Sequence, residues 1–173
     1  IDREGGIYFS DPVYGRVENV QGGEHVYYIA PDRTNVTRVT DDLVRPNGLV
    51  GTPDGTTLYV ADPGDQRTWR YAVAHDGTLE DKTLFASNGS DGMAMDAEGN
   101  IYAAAGSGEE SAIYVFGPDG KNLAKIPLPG EPTNCVFGTG DESATLYITG
   151  NSGDGWGLYR IRLMKDGFHP SHP

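Results

Sequence analysis

The chain contains few of the residues on which several classes of function depend. Among its 173 residues there is one cysteine, Cys135, which excludes an internal disulfide and a metal cluster built from cysteines. Basic residues are scarce too, since 13 lysines and arginines stand against 25 aspartates and glutamates, giving a formal charge of −12. Such an acidic surface repels phosphate groups, which argues against binding to nucleic acid or to an anionic membrane.

Long apolar runs and a serine-hydrolase signature are missing as well. No segment approaches the roughly 20 apolar residues of a membrane helix, and the start, "IDREGGIYF", contains no signal-like stretch. Since Ile1 is not an initiator methionine, we expect residues upstream of it, and the compartment stays open between cytoplasm and periplasm. The motif Gly-x-Ser-x-Gly does not occur, so an α/β-hydrolase mechanism is unsupported.

What the chain does contain is a repeat. The segments "GGIYFSDP", "TTLYVADP", "GNIYAAAG" and "ATLYITGN" carry a tyrosine in register at intervals of 51, 43 and 45 residues. A second set of tyrosines recurs at intervals of 44, 43 and 45 residues: Tyr27, Tyr71, Tyr114 and Tyr159. A period of about 40 to 50 residues, carried by short aromatic and β-branched runs with Gly-rich and Pro-rich turns, predicts an all-β chain folded as a β-propeller.

Strand positions follow from alternation and turn chemistry within one repeat. In the second repeat we predict an inner strand at 48–51 and further strands at 57–62, 68–73 and 82–86. Asp-Gly pairs begin at Asp54, Asp76 and Asp119 and lie between strands, where the glycine supplies a positive φ and the Asp side chain closes the turn. These aspartates are therefore interpreted as turn residues and not as a calcium-binding loop of the EF-hand type.

The first and last repeats are incomplete. At about 44 residues per repeat the chain holds about four blades, of which the first lacks its inner strand and the last its outer strand. We expect one propeller domain over residues 1–173 that lacks its N-terminal part, with a turn-rich tail at 164–173. Open sheet edges favour closure of the ring by further blades or by a second chain.

Polar residues recur in the same phase, just before the inner strands. Asn47 is followed by Asp91 and then by Asn134, at intervals of 44 and 43 residues. Equivalent positions on neighbouring blades point toward the axis of a propeller, and amide and carboxylate oxygens suit a hard cation. The pattern predicts an axial metal site, although Asn-Gly and Asp-Gly pairs that merely make turns explain the same spacing equally well.

The remaining polar residues give weaker signals. Asp11 and Tyr14 lie in "SDPVYG", a loop that could border a substrate, although a plain turn is the simpler interpretation, and the same holds for Asp62. Asn134 either lines a pocket or makes a structural hydrogen bond. Cys135 is expected to be a buried small residue. The four histidines, His25, His75, His169 and His172, are expected at the surface, and Trp69 and Trp156 in blade packing.

Four motifs in order give the chain a family resemblance. The stretches "IYFSDPVYG", "RPNGLVGTPDGTTLYVAD", "SDGMAMDAEGNIYAAAG" and "PTNCVFGTGDESATLYITG" resemble the gluconolactonases, regucalcin (senescence marker protein) and luciferin-regenerating enzyme. The resemblance runs from about residue 5 to residue 163 and is greatest to the bacterial sugar lactonases. It implies a six-bladed propeller that binds one divalent cation and hydrolyses a small lactone.

The resemblance also implies roles for individual residues. Asn47 matches the family's amide metal ligand, and Asp91 matches its aspartate ligand, which is also the favoured general base. The family's glutamate ligand and the polar residue of its "ND" motif have no counterpart in this sequence. An oxygen-rich ligand set favours Ca²⁺, with Mg²⁺, Mn²⁺ or Zn²⁺ as alternatives.

Two functions compete at this stage. The first is a metal-dependent lactonase that acts on a sugar lactone such as an aldonolactone, with substrate contacts from Asn134, Asp11 and Tyr14. The second is a propeller without catalytic activity that binds a metal or a ligand, because propellers carry many unrelated functions.

Overall fold

The computed structural model describes residues 1–15, 18 and 21–169. In this part of the chain the only helices are two single-turn 3₁₀ helices, Gly108–Glu110 and Gly140–Glu142, and fourteen β-strands make up the regular structure. The predicted all-β class is therefore confirmed. Within the described residues no helix has the length and apolar content needed to cross a membrane.

The chain divides into two compact units, Ile1–Gly89 and Ser90–Pro173. The first unit contains a three-stranded and a four-stranded antiparallel sheet, each with its strands in chain order. The three-stranded sheet consists of β1 (Ile7–Asp11), β2 (His25–Ile29) and β3 (Val36–Thr40). The four-stranded sheet consists of β4 (Leu49–Gly51), β5 (Thr57–Asp62), β6 (Arg67–Val73) and β7 (Leu79–Ala86).

The second unit has one sheet of each kind as well. Its four-stranded sheet consists of β8 (Met93–Met95), β9 (Ile101–Ala105), β10 (Ala112–Phe116) and β11 (Asn122–Pro127). Its three-stranded sheet consists of β12 (Glu131–Phe137), β13 (Thr145–Ser152) and β14 (Gly155–Arg162). Four sheets, with three strands in the first and last within the described residues, match the four predicted blades of which two are incomplete.

The predicted strands of the second repeat agree with the structure to within one residue, except at the start of the fourth. The strand β7 begins at Leu79, three residues before the predicted start. A bulge opposite Tyr71 and a positive φ of 51° at Asp81 interrupt the regular pairing of this strand with β6, and Glu80 and Asp81 are exposed there. The bulge breaks the alternation of apolar and polar residues, so the sequence pattern did not predict the first three residues of this strand.

Aspartate side chains close the hairpins, as predicted. The carboxylate of Asp54 accepts hydrogen bonds from the hydroxyl groups of Thr52 and Thr56 and from the backbone N–H of Thr56. These hydrogen bonds, the one from the Thr52 side chain first, lower the pKa of Asp54. Asp76 binds Thr78 and Asp119 binds Lys121 in the same manner. Each turn is thus formed by residues adjacent in sequence.

Each unit has its own hydrophobic core. In the first unit the core is formed by Val26, Leu58, Val60 and Tyr71. In the second it is formed by Ala94, Tyr102, Ala104, Ile113, Val115, Cys135, Phe137, Leu146 and Ile148. Every residue of β9, and every residue of β5 after Thr57, is buried, so these two strands are covered on both faces.

Two aromatic positions behave differently from each other. Trp69 on β6 is half-buried, and the ammonium group of Lys82 lies 4.4 Å from its ring centre. Trp156 on β14 is 75% exposed, so the predicted packing of this residue is wrong. It lies on the face of the last sheet opposite the core, where Leu158 is also exposed, and no described residue covers it there.

The predicted tail is attached to the second unit as far as it is described. The N–H of Gly167 donates to the carbonyl of Ser143 at 2.8 Å, and the N–H of Phe168 donates to that of Met95 at 2.8 Å. Gly167 also forms an isolated antiparallel bridge with Asp96. Residues 170–173, including His172, lie outside the described residues.

Candidate functional site

The backbone N–H and the backbone carbonyl of Asn47 both form hydrogen bonds. Its N–H donates to the carbonyl of Ala61 at 2.8 Å, and the carbonyl of Gly48 accepts from the N–H of Ala61 at 2.9 Å. The carbonyl of Asn47 itself accepts a hydrogen bond from the hydroxyl of Ser10 at 2.7 Å. Asn47 therefore continues the pairing of β4 with β5 by two residues, and its side chain is half-buried at the head of the inner strand.

Asp91 has the same backbone pairing in the second unit. Its N–H donates to the carbonyl of Ala104 at 2.9 Å, and the carbonyl of Gly92 accepts from the N–H of Ala104 at 2.9 Å. Asp91 is half-buried and precedes β8 by two residues, as Asn47 precedes β4. The predicted phase of these two residues is confirmed, each within its own unit.

Asn134 departs from this phase. The strand β12 begins at Glu131, so Asn134 lies inside the inner strand. The prediction that Asn134 precedes this strand is therefore wrong. The cause is a bulge at Thr133, which has no partner between the pairs Pro132 with Gly150 and Asn134 with Thr149. An extra residue in one strand changes the direction of the neighbouring side chains. The side chain of Asn134 is exposed, and its Oδ1 accepts from the N–H of Cys135 at 2.8 Å.

The loop after β1 meets Asn47 within the first unit. The amide Nδ2 of Asn47 donates to the hydroxyl of Tyr14, with 2.5 Å between the two atoms. The guanidinium carbon of Arg45 lies 5.7 Å from the centre of the Tyr14 ring, and the Nε of Arg45 lies 3.5 Å from a carboxylate oxygen of Glu24. Glu24 in turn accepts from the N–H of Val13 at 2.9 Å. Tyr14 is thus part of a polar network that includes the proposed ligand.

Asp11 makes its contacts at the end of β1. It ends β1, where it pairs with His25, and its carboxylate accepts a hydrogen bond from the side chain of Gln21. Tyr27 donates to Gln21 at 2.9 Å. The contact that the structure shows with the side chain of the candidate ligand is that of Tyr14.

Sequence reasoning missed the function of Asp62. This residue is 1% exposed, and its two carboxylate oxygens accept from the N–H groups of Val44 at 2.9 Å and Arg45 at 2.7 Å. It thereby fixes the segment that leads through the buried Pro46 to Asn47. The predicted turn is present, since the carbonyl of Asp62 accepts from the N–H of Asp65 at 3.1 Å, but the role of the side chain was not predicted. The corresponding residue of the next repeat is Ala105, and this difference was the available signal.

The prediction for His25 is also wrong. Instead of lying at the surface, it is 6% exposed in β2, and neither ring nitrogen has a hydrogen-bond partner in the described structure. Its ring lies against Gly23, where a Cβ would be 2.3 Å from the ring carbon. The absence of a side chain at residue 23 lets the imidazole pack against the backbone just before β2. His75 is exposed, as predicted.

Cys135 is buried, as predicted. It is 5% exposed, and its Sγ lies 3.3 Å from the carbonyl of Tyr102. Burial raises the pKa of the thiol from 9.0 to about 12. The protonated thiol is a poor nucleophile at neutral pH, which removes Cys135 from the catalytic candidates.

Among the described residues, neither a metal cluster nor the cavity of the second unit includes the candidate residues. Within residues 1–15, 18 and 21–169 there is no group of three or more His, Cys, Asp or Glu side chains that could hold a metal ion. A cavity of about 330 Å³ in the second unit contains none of the candidate residues. Its lining consists of Gly138, Thr139, Gly140, Ser143, Gly167 and His169. The candidate site is therefore defined by the side-chain oxygens of Asn47 and Asp91 and not by a cavity.

Comparison with known proteins assigns the family. The model of the "SMP-30/Gluconolactonase/LRE-like region" matches residues 1–152. The chain belongs to this family. A gluconolactonase from Zymomonas mobilis is 33% identical over 171 residues, which cover 85% of this chain and 45% of that enzyme. The family resemblance noted in the sequence is confirmed.

Solved structures of the family agree with the fold. A gluconolactonase from Xanthomonas campestris is 33% identical, with a TM-score of 0.76, and the match covers 93% of this chain and 55% of that one. A regucalcin from Agrobacterium tumefaciens, described as a calcium-binding protein, is 25% identical, with a TM-score of 0.78, and the match covers 96% and 60%. The β-propeller class is confirmed, and the chain spans about half the length of the curated relatives it matches.

Proposed function

We propose that this protein hydrolyses a small lactone of the sugar or aldonolactone type. Family membership supports this proposal, together with the names of two relatives at 33% identity, both called gluconolactonases. In the reaction the oxygen of water bonds to the lactone carbonyl carbon, and the bond between this carbon and the ring oxygen breaks. The ring oxygen takes up a proton, so the product is a hydroxy acid.

We further propose Asn47 and Asp91 as ligands of one divalent cation. The observation that carries this assignment is the backbone pairing shared by the two residues, which gives an amide and a carboxylate the same position in successive repeats. These oxygen donors suit Ca²⁺, with Mg²⁺, Mn²⁺ or Zn²⁺ as alternatives, and supply two of the about six to eight ligands that Ca²⁺ takes. When bound, such a cation supplies Lewis-acid stabilisation of negative charge on the carbonyl oxygen.

The residues of this chain then have distinct tasks. Asp91 accepts the proton of the attacking water as the general base, for which a carboxylate is suited when it lies within hydrogen-bond reach of that water. Asn47 contributes its amide group, whose nitrogen is held by Tyr14. Asp62 positions the segment that carries Asn47. Tyr14, with Asp11 at the start of the same loop, is the proposed substrate contact of the first unit.

A lactonase assay of the full-length protein tests the proposal. Hydrolysis of an aldonolactone releases acid, which a pH-stat measures directly, with and without chelator. We expect EDTA to abolish the rate, added Ca²⁺ to restore it, and Asp91→Ala to lower kcat by at least about a hundredfold. Exposed Asp141→Ala is the matched control. A rate unaffected by EDTA and by Asp91→Ala would overturn the mechanism.

The alternative is a protein that binds a divalent cation without turnover. It is favoured by one observation, the description of the Agrobacterium relative as a calcium-binding protein. Calcium binding that depends on Asp91, in a protein with no lactonase activity toward several sugar lactones, would select this alternative.

A further inference from the structure

Asn134 has a fixed amide orientation although its side chain is exposed. The bulge at Thr133 sets the direction of the side chain, and the N–H of Cys135 donates to Oδ1 at 2.8 Å. The oxygen is thereby identified as the atom that faces the strand backbone, because an amide nitrogen could not accept this hydrogen bond. The Nδ2 group of Asn134 donates to no described residue.

Gly92, the residue after Asp91, allows this arrangement. A Cβ at residue 92 would lie 2.1 Å from Oδ1 of Asn134 and 2.8 Å from its Cα. Real Cβ atoms essentially never come this close to other heavy atoms, so any side chain at 92 must displace Asn134 or its strand. The amide group therefore lies directly against the backbone that follows the proposed general base.

The side-chain amides of Asn47 and Asn134 form these hydrogen bonds through opposite ends, one through nitrogen and the other through oxygen. Asn47 donates through Nδ2 to Tyr14, whereas Asn134 accepts through Oδ1 from Cys135. A cation requires the oxygen of an amide, while a hydroxyl or carbonyl oxygen of a substrate requires its N–H groups. The N–H groups of Asn134 are therefore suited to donate to an oxygen of the substrate, while its Oδ1 already accepts one hydrogen bond.

We propose that Asn134 is a substrate-binding residue that donates a hydrogen bond to a hydroxyl oxygen of the lactone, and that Gly92 is the position that makes room for it. This inference rests on the proposed lactonase function and deepens it, because it names a residue that recognises the hydroxyl groups of the substrate. Lactones with ring hydroxyl groups are preferred over unsubstituted ones. A hydrogen-bond donor contributes to discrimination only when the substrate offers an acceptor.

The test compares δ-gluconolactone, which has hydroxyl groups, with δ-valerolactone, which has none on the ring. In the full-length protein with Ca²⁺, Asn134→Ala and Asn134→Asp are expected to raise KM for δ-gluconolactone about five- to tenfold, as loss of one hydrogen bond predicts. KM for δ-valerolactone is expected to stay within about twofold. Asn122→Asp, an exposed asparagine of β11, controls for the added charge.

Calcium titration separates a substrate contact from a ligand. We expect Asn134→Ala to bind Ca²⁺ as tightly as the parent protein, and weaker binding would overturn the inference. An unchanged KM for both lactones would also overturn it, while leaving the lactonase proposal intact. If the parent protein hydrolyses no lactone, the proposed function is wrong, and the inference about Asn134 is wrong with it.

Gly92→Ala tests the position next to Asp91. We expect it to raise KM for δ-gluconolactone as Asn134→Ala does, and the double variant to have about the same KM as the single ones, since both changes remove the same contact. Thermal unfolding of each variant shows whether the protein remains folded. Additive effects on KM in folded variants would contradict the assigned role of Gly92.

Discussion

The hydroxyl of Tyr14 accepts a hydrogen bond from the amide nitrogen of Asn47, across 33 residues of sequence. This contact determines which end of the amide faces the loop after β1. Groups that orient a metal ligand are expected to influence metal affinity although they do not touch the ion.

Replacement of Tyr14 by Phe removes this hydrogen bond and keeps the ring beneath Arg45. We expect calcium affinity to fall about three- to tenfold, as measured by isothermal titration, because the Asn47 amide is less well oriented. Tyr114→Phe, which removes a hydroxyl bound to Glu110 in the second unit, is the control and should have the parent affinity. Equal calcium affinity in Tyr14→Phe and the parent would contradict the assignment of Asn47 as ligand or of Tyr14 as its positioning residue.

Replacement of Asp62 by Ala is expected to lower the free energy of unfolding by about 2 to 4 kcal/mol. The change leaves the N–H groups of Val44 and Arg45 without their buried acceptor. Asp62→Asn keeps one oxygen and should lose less. Urea denaturation followed by circular dichroism measures both variants, and a loss below about 0.5 kcal/mol in Asp62→Ala would refute the anchoring role.

The thiol of Cys135 is expected to be unreactive in the folded protein. Burial raises its pKa to about 12, so the thiolate is scarce at pH 8 and reagents cannot reach it. Ellman's reagent should therefore detect no thiol in the native protein and one in guanidinium chloride. Rapid labelling of the native protein would show that the sulfur is accessible.

Because of the raised pKa of Cys135, we expect the free energy of unfolding to decrease with pH in the alkaline range. Between about pH 9 and pH 12 the unfolded chain loses the thiol proton while the folded chain keeps it, so stability decreases as the pH rises. The slope due to this one group is at most about 1.4 kcal/mol per pH unit. Cys135→Ala, which has no thiol to titrate, should show a weaker decrease than the parent across this range.

Two leucines of the last sheet allow a paired test of its faces. Leu146 is fully buried, whereas Leu158 is 69% exposed on the neighbouring strand. Leu146→Ala is expected to cost about 2 to 5 kcal/mol because it removes apolar contacts and opens a cavity. Leu158→Ala should change stability by less than about 0.5 kcal/mol. Equal losses in denaturant unfolding would mean that both faces are covered.

Local features were predictable from the sequence. The strands of the second repeat follow from period-two alternation and from Asp-Gly turns, because both depend on residues within about ten positions of each other. The phase of Asn47 and Asp91 was predictable for the same reason, since the repeat fixes where each inner strand begins.

Features that depend on tertiary contacts were not predictable. The burial of His25 depends on the space that Gly23 leaves, and the role of Asp62 depends on a loop that lies 17 and 18 residues earlier. The bulge at Thr133 adds a single residue to β12, which no periodicity reveals. Trp156 is aromatic and lies on a strand, but the sequence does not say which face of its sheet is covered.

In every sheet each strand pairs with the strand that precedes or follows it in the chain. Apart from β1 and β2, which are separated by residues 12–24, neighbouring strands are joined by short turns, and such a hairpin forms within microseconds. During synthesis on the ribosome, a sheet such as β4 to β7 can therefore assemble as soon as its fourth strand has emerged. The order of translation is then also an order in which the sheets can form.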